Sequence, residues 1–334
     1  MEICGTHTFA MAKYGIKNIY AQTIDFLSGP GCPVCVTSRQ DIDYVIELAE
    51  NKNNIIVSFG DMIRVPATNP KISLDKMPKD NIKIIYSVNQ TLDIALENPG
   101  KNVIFIAVGF ETTAGLIASV IDEAKKKNIK NFYVFCALKT IIPAINFLLF
   151  SKQINADGFI LPGHVCAVTG FEPFEFIAEK YNIACVVAGF TATNLKNAID
   201  KLYAMHVNKD YKLINCYQSI VSQKGNTSAQ KIINKVFSKD DAVWRGLGKI
   251  KQSGLKLNSA YDCFNIENKY KKINKKTANK NTCICGKLFT GKYKPCDCKN
   301  FAKKCTPETP IGPCMVSSEG VCASFYKYGE FNEK

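Results

Sequence analysis

The fold turns on Val103-Ile104-Phe105-Ile106-Ala107-Val108 and on the Gly109-Phe110-Glu111-Thr112-Thr113 that follows it. Six consecutive apolar residues suit a strand buried on both faces, as in a parallel sheet. The glycine then turns the chain. Leu116, Ile117, Val120, Ile121 and Ala124 recur at helical spacing, so residues 113–127 read as the crossover helix that covers the strand. Residues 103–121 approach membrane-spanning length, but Gly109, Glu111, Thr112 and Thr113 break the run in its middle, which favours strand, turn and helix over a span.

The same grammar runs through most of the chain. β-branched or aromatic runs at residues 54–59, 82–87, 102–108, 131–136, 158–161, 184–188 and 213–217 each end in a polar or glycine turn. Between them, residues 39–49, 113–127, 143–152 and 193–205 carry apolar side chains at helical spacing. Such alternation predicts an α/β fold on parallel sheets. Ala188-Gly189-Phe190-Thr191-Ala192-Thr193 echoes the passage from Val108 to Thr113, again between a strand and a helix. The echo predicts two similar parallel-sheet α/β domains, over residues 1–127 and 128–240, followed by a small cysteine-rich iron-sulfur domain over 241–334. Beyond Trp244-Arg245-Gly246-Leu247-Gly248 no periodicity continues. The tail contains Pro295, Pro307, Pro310 and Pro313 and too little apolar pattern for its own core, a deficit that a bound cofactor offsets.

The 334 residues are 46% hydrophobic and 22% charged, ordinary for a soluble chain of two or three domains. Residues 1–16 hold no long apolar run and no small-residue cleavage site, so no signal peptide is expected and the expected compartment is the cytoplasm. A net charge of +14 raises the question of nucleic acid. The lysines, however, are scattered among asparagines, and their one dense run, 269–280, lacks repeated aromatic interleaving and reads as a solvated linker. Fifteen cysteines in a reducing compartment point to metal ligands or redox thiols rather than a disulfide framework.

Those thiols are grouped. In the tail Cys283, Cys298, Cys305 and Cys322 are spaced C-x14-C-x6-C-x16-C. Four thiolates around one small folding unit suit the corners of a 4Fe-4S cluster. Zinc is the competing occupant, although its four-cysteine sites usually come as two short C-x2-C knuckles. Cys285, Cys296 and Cys314 remain as further thiols. At the front, Gly29-Pro30-Gly31-Cys32-Pro33-Val34-Cys35 sets a C-x-x-C in a stiff turn ahead of a helix whose N-terminus would lower the first thiol's pKa. This is a redox pair or half of a zinc site. Cys4-Gly5-Thr6-His7 brings a thiol and an imidazole within three residues. The two can share a metal, the histidine can serve the thiol as base or hydrogen-bond partner, or the cysteine is a small buried apolar residue. Pro162-Gly163-His164 and Gly109-Phe110-Glu111 both leave strands, where open parallel sheets line their ligand crevice; Glu111 equally suits the first turn of a helix. No G-x-G-x-x-G, G-x-x-x-x-G-K-[ST] or G-x-S-x-G is present, so dinucleotide, nucleotide phosphate and serine hydrolysis lack motif support. The sulfur groups of the two ends are expected to meet in space.

Taken together these passages resemble the HypD-type nickel-iron hydrogenase maturation family. The similarity runs through Cys4-Gly5-Thr6-His7, Gly29 to Cys35, Gly60-Asp61-Met62, Gly109 to Thr113, Pro162-Gly163-His164-Val165, Trp244 to Gly248 and Cys314-Met315-Val316-Ser317-Ser318-Glu319-Gly320. The resemblance implies a cytoplasmic, redox-active scaffold rather than a conventional turnover enzyme. On it an iron with one carbon monoxide and two cyanide ligands is assembled for the hydrogenase large subunit. A HypC-type chaperone would share the iron with Cys4, and a HypE-type partner, supplied by a HypF-type carbamoyltransferase, would bring cyanide; no nucleic acid or membrane takes part. By the same resemblance Cys283, Cys298, Cys305 and Cys322 hold one 4Fe-4S cluster in a setting similar to ferredoxin-thioredoxin reductase. Cys285 and Cys314 form the second thiol pair beside it, Cys32 and Cys35 a redox pair near the iron, and His7, His164 and Glu111 line the iron's cleft or handle protons. Relatives usually carry a longer segment ahead of the position of Cys4, so a longer N-terminus is expected. Thr191-Ala192 stand where relatives tend to have an acidic residue and a proline. The same residues admit a ferredoxin-dependent disulfide reductase acting through Cys32 and Cys35. A third reading, a zinc- and nucleic-acid-binding protein, has only charge and cysteine number behind it.

Overall fold

The computed structural model describes residues 1–272 and 282–329. The expected linker over 269–280 therefore lies largely outside the described residues. The chain forms two compact units, each made of separated segments: Thr37–Thr140 with Ser228–Thr282, and Met1–Val36 with Ile141–Thr227 and Cys283–Lys334. The expected blocks, 1–127, 128–240 and 241–334, were continuous. Where a chain leaves and re-enters a unit is a long-range property that local periodicity does not carry. Among the described residues no helix is long and apolar enough to cross a membrane.

In the unit built on Thr37–Thr140, β1 (Asn54–Ser58), β2 (Ile82–Ile84), β3 (Asn102–Ala107) and β4 (Phe132–Cys136) form one parallel sheet in the order β2-β1-β3-β4. The deciding run is its centre, with Ile104 in register with Ile56 on one side and Tyr133 on the other. Helix Glu111–Lys126 covers it with Ala114, Ile117, Ala118, Ile121 and Ala124. Burying each isoleucine contributes about 1.5–3 kcal/mol. Leu116, assigned to that stripe by spacing, is 66% exposed because it lies one helical step beyond the buried face. An antiparallel hairpin of Phe237–Trp244 and Gly248–Leu257 completes the unit where no periodicity was expected. Lys249, Lys251 and Lys256 face outward while Ile250, Leu255 and Leu257 are buried, so lysines masked the strand. Gly246 and Gly248 take φ of 81° and 82° in its turn, a conformation that glycine adopts without penalty.

The other unit holds a second parallel sheet, β5 (Gly158–Pro162), β6 (Ala184–Ala188) and β7 (Leu213–Asn215), in the order β5-β6-β7. Helix Ala192–Val207 packs Leu195, Ala198 and Ile199 against Ala184, Val186 and Ala188. Thr191 is its N-cap, its hydroxyl accepting the Asn194 amide at 3.2 Å. The N-terminal residues run alongside β5: Ile160 N–H donates to Met1 O at 2.9 Å and Ile3 N–H to Ile160 O at 3.0 Å. All seven parallel strands fall on the runs read from the sequence.

Candidate functional site

Pairing beside β5 brings Cys4 to the carboxyl edge of this second sheet, where it is the N-cap of helix Gly5–Lys13. The amides of Thr6 and His7 at the helix start favour its thiolate. Burial outweighs them and, with the Glu319 carboxylate nearby, lifts the thiol to about 11, so it stays protonated at neutral pH.

The thiol segment is clamped from two sides. A Cβ on Gly31 would lie 2.5 Å from both Cα and N of Cys4, and Gly5 N–H donates to Gly31 O at 3.0 Å. Opposite, Thr6 Oγ1 donates to Glu319 Oε1 at 2.6 Å, and a Cβ on Gly5 would come within 2.6 Å of Glu319 Cβ. Helix Gly5–Lys13 packs on helix Val321–Tyr328, which carries Cys322, with Phe9 meeting Tyr328 edge to face at 5.7 Å. Cys32 and Cys35 are joined as a disulfide, and their single helical turn, Pro33–Val36, packs on the Pro313–Met315 turn that carries Cys314. Paired in this way, Cys32 has no free thiolate for a helix N-terminus to stabilise. The sulfur of the two chain ends thus lies in one unit.

Both expected histidines are there as well. His7 is fully buried; its Nε2–H is shared by the carbonyls of Ala188 and Gly189, each at 3.2 Å. Carbonyls only accept, so the proton sits on Nε2 and leaves the lone pair on Nδ1. Burial holds His7 at about 4, and its ring is neutral. His164 leaves β5 and is exposed at the surface, its pKa lowered by partial burial. Phe190, leaving β6, stacks with both rings, at 4.5 Å from His7 and 3.8 Å from His164. Tyr217, after β7, meets Phe190 edge-on at 6.2 Å. Glu111 opens helix Glu111–Lys126 in the four-stranded unit and is 7% exposed.

In the tail Cys283 Sγ donates to Cys285 Sγ at 3.0 Å. The neighbouring thiols, Cys283 first and then Cys314 and Cys322, hold the buried Cys285 well below the usual thiol range, and their own pKa values are raised. Cys305, raised by burial, accepts the Ile311 amide at 3.3 Å. Cys298 is partly buried and Cys296 exposed. Gly312 faces Cys283 and Cys285, and any side chain there would occupy the space of their sulfurs. Among the described residues no three His, Cys, Asp or Glu side chains converge as one metal ion requires. A cubane takes four thiolates at separate corners, and soft sulfur donors around the Gly312 gap fit that group chemically.

Sequence reasoning gave no role to Thr6, Phe190 or Glu319. Phe190 stood in the repeated glycine-phenylalanine turn, and Glu319 in the run Met315 to Gly320; both signals were on the page without a geometry to interpret them. Cys285, assigned a place beside the cluster, is the sulfur hydrogen-bonded by Cys283 and faces Gly312 with it.

A family model described as "Hydrogenase formation hypA family", HypD, matches residues 1–329. The chain is 38% identical to hydrogenase maturation factor HypD2 of Bradyrhizobium diazoefficiens, over 100% of this chain and 90% of that protein. It is 39% identical to hydrogenase maturation factor HypD of Rhodobacter capsulatus, over 98% and 89% of the two chains. With HypD of Escherichia coli K12 the identity is 37%, over 98% and 88%.

Proposed function

The chain belongs to the HypD family of hydrogenase formation proteins, and from that premise we propose that it is the scaffold on which the Fe(CN)2CO group of nickel-iron hydrogenases is assembled. Its role is in hydrogenase maturation. The iron is the cargo, and Cys4 anchors it, together with a ligand from a HypC-type chaperone. Cyanide arrives from a HypE-type partner that a HypF-type carbamoyltransferase supplies. One observation carries the reading: Cys4 is clamped in the same unit as the Cys32–Cys35 disulfide and the cysteine tail.

Four tail thiols would hold a 4Fe-4S cluster, which when bound supplies single electrons. Cys298, Cys305 and Cys322 are three of its ligands, and the adjacent pair Cys283 and Cys285 offers the fourth. His7 supports the site as a neutral ring fixed by two carbonyls, and His164 offers an exposed imidazole for moving protons. Reduction of Cys32–Cys35 by two electrons and two protons would free two thiols beside Cys4.

Infrared spectroscopy of the complex copurified with a HypC-type partner tests this. Cyanide and carbonyl stretches are expected for the native chain and absent for Cys4→Ala; bands that persist in that variant would remove Cys4 as the anchor. The disulfide itself favours a second reading, a reductase that passes electrons from the tail to a partner protein through Cys32 and Cys35. That reading requires a mixed disulfide with the partner when Cys35 is replaced by Ser, and no cyanide or carbonyl bands.

A further inference from the structure

The two segments that carry the front cysteines run side by side, and one buried carboxyl group ties them. Glu2 N–H donates to Leu27 O at 2.9 Å and Gly29 N–H to Glu2 O at 2.8 Å, so Glu2, two residues before Cys4, lies beside Ser28, four residues before Cys32. Glu2 is 1% exposed. Ser28 Oγ donates to its Oε1 at 2.5 Å, and Thr8 Oγ1 donates to the same oxygen at 3.1 Å. A threonine hydroxyl has one proton, and the Thr8 proton goes to Glu2 rather than to the more distant Cys4 O at 3.4 Å. Thr8 holds Cys4 by its backbone instead, its N–H donating to Cys4 O at 3.1 Å. Glu2 Oε2 has no partner among the described residues. A buried carboxyl left half satisfied costs stability, and an apolar residue of similar volume would fill the same space without that cost, so packing alone does not account for a glutamate here.

We infer that Glu2 is a positioning residue that holds the Cys4 segment and the Cys32–Cys35 loop against each other, reaching the first through Thr8 and the second through Ser28. The inference rests on the reading of Cys4 as the iron anchor and of Cys32 with Cys35 as its redox pair. Its consequence is specific. Reduction of the disulfide removes the covalent bond that stiffens the loop, and the Glu2 carboxyl is a side-chain tie that remains, so the two freed thiols stay beside Cys4 instead of swinging away from it.

The test uses the full chain, purified anaerobically. Iodoacetamide labelling with peptide mapping follows Cys4, reduction by dithiothreitol follows the Cys32–Cys35 disulfide, and labelling of Cys185, buried on β6 of the same unit, reports general loosening. Loss of two hydrogen bonds to a carboxyl makes local opening easier, so Glu2→Ala should speed both reactions by about tenfold while Cys185 labels at the native rate. Glu2→Gln keeps the Oε1 acceptor and puts its amide where Oε2 has no partner, so native rates are expected. A native rate at either site in Glu2→Ala, or a rise in step with Cys185, overturns the inference, as does a Glu2→Gln variant that behaves like Glu2→Ala. If Glu2→Ala does not fold, Thr8→Val, read at Cys4, and Ser28→Ala, read at the disulfide, each release one arm and decide by the same criterion. Neither reaction requires iron, so infrared bands that survive Cys4→Ala defeat the anchor reading alone, and the two failures are distinguished.

Discussion

Replacing Gly31 by Ala should damage the site through a contact too short for any side chain. The new Cβ would stand 2.5 Å from Cys4 Cα, 2.5 Å from Cys4 N and 2.6 Å from the carbonyl carbon of Ile3. Carbon atoms in contact sit at roughly 3.5–4.0 Å, so the two strands of backbone must part by about 1 Å. Neither can yield cheaply, because Gly5 N–H to Gly31 O at 3.0 Å and Gly29 N–H to Glu2 O at 2.8 Å pin one against the other, and Ile3 N–H to Ile160 O at 3.0 Å ties the front segment to β5. Overpacking of this kind costs about 1–3 kcal/mol. For a unit of this size each kcal/mol lowers the melting temperature by roughly 2–4 °C, so a fall of about 2–12 °C is expected in calorimetry. Gly100→Ala is the control, since nothing lies within 4 Å of its Cβ position; it should stay within about 0.5 kcal/mol of the native chain. A Gly31→Ala melting point indistinguishable from that of Gly100→Ala would refute the clamp on Cys4.

Asp122 accepts Lys126 Nζ at 2.9 Å, Lys235 Nζ at 2.7 Å and the Tyr261 hydroxyl at 2.5 Å, and these hydrogen bonds, Lys235 first, hold its carboxyl far below the usual range. Because both lysines are more than half exposed, Asp122→Asn should cost only about 1–2 kcal/mol at pH 7. A depressed folded pKa means stability that is present above the unfolded value of about 3.9 and lost as pH falls below it, so the gap between native and variant urea midpoints should close in acid; a constant gap contradicts this. Cys285→Ser should lower iron and sulfide per chain more than Cys283→Ser, because Cys285 is the more buried thiol; equal losses would leave both as contributors. With its thiol at about 11, Cys4 has roughly 100-fold less thiolate at pH 8 than an ordinary cysteine. Iodoacetamide labelling followed by peptide mapping should find it slow there beside the exposed Cys263 and Cys296, and rising about tenfold per pH unit towards pH 10. Labelling of Cys4 at the rate of those two would disprove its burial.

The parallel sheets were legible because each strand is an apolar run ended by a polar or glycine turn, and periodicity is a local property. That His164 leaves a strand was legible for the same reason. The hairpin of Phe237–Trp244 and Gly248–Leu257 was not, since lysines on its outer face hid a period of two. Glu111 follows a strand as His164 does, and that it belongs to the four-stranded unit is a long-range fact which a repeated local motif does not carry. Glu319 was beyond reach for a stronger reason: its partner is 313 residues away and the contact exists only after the tail folds onto helix Gly5–Lys13.

The state of the front thiol bears on what a scaffold must avoid. A thiolate is the form that oxidants and electrophiles attack, and a cysteine of low pKa waiting for iron next to Cys32 and Cys35 would be exposed to disulfide exchange. Burial keeps Cys4 protonated and inert while its neighbours pair with each other. Under the proposed function iron binding at Cys4 would displace the proton, a cation at the sulfur replacing the charge that burial forbids, so cargo affinity would be linked to pH with one proton released per anchored iron. A helix N-terminus alone would favour the Cys4 thiolate. The desolvation that the sequence could not display is larger, and it turns the same residue from a reactive thiol into a protected one, which under the proposed function would become a ligand when its metal arrives.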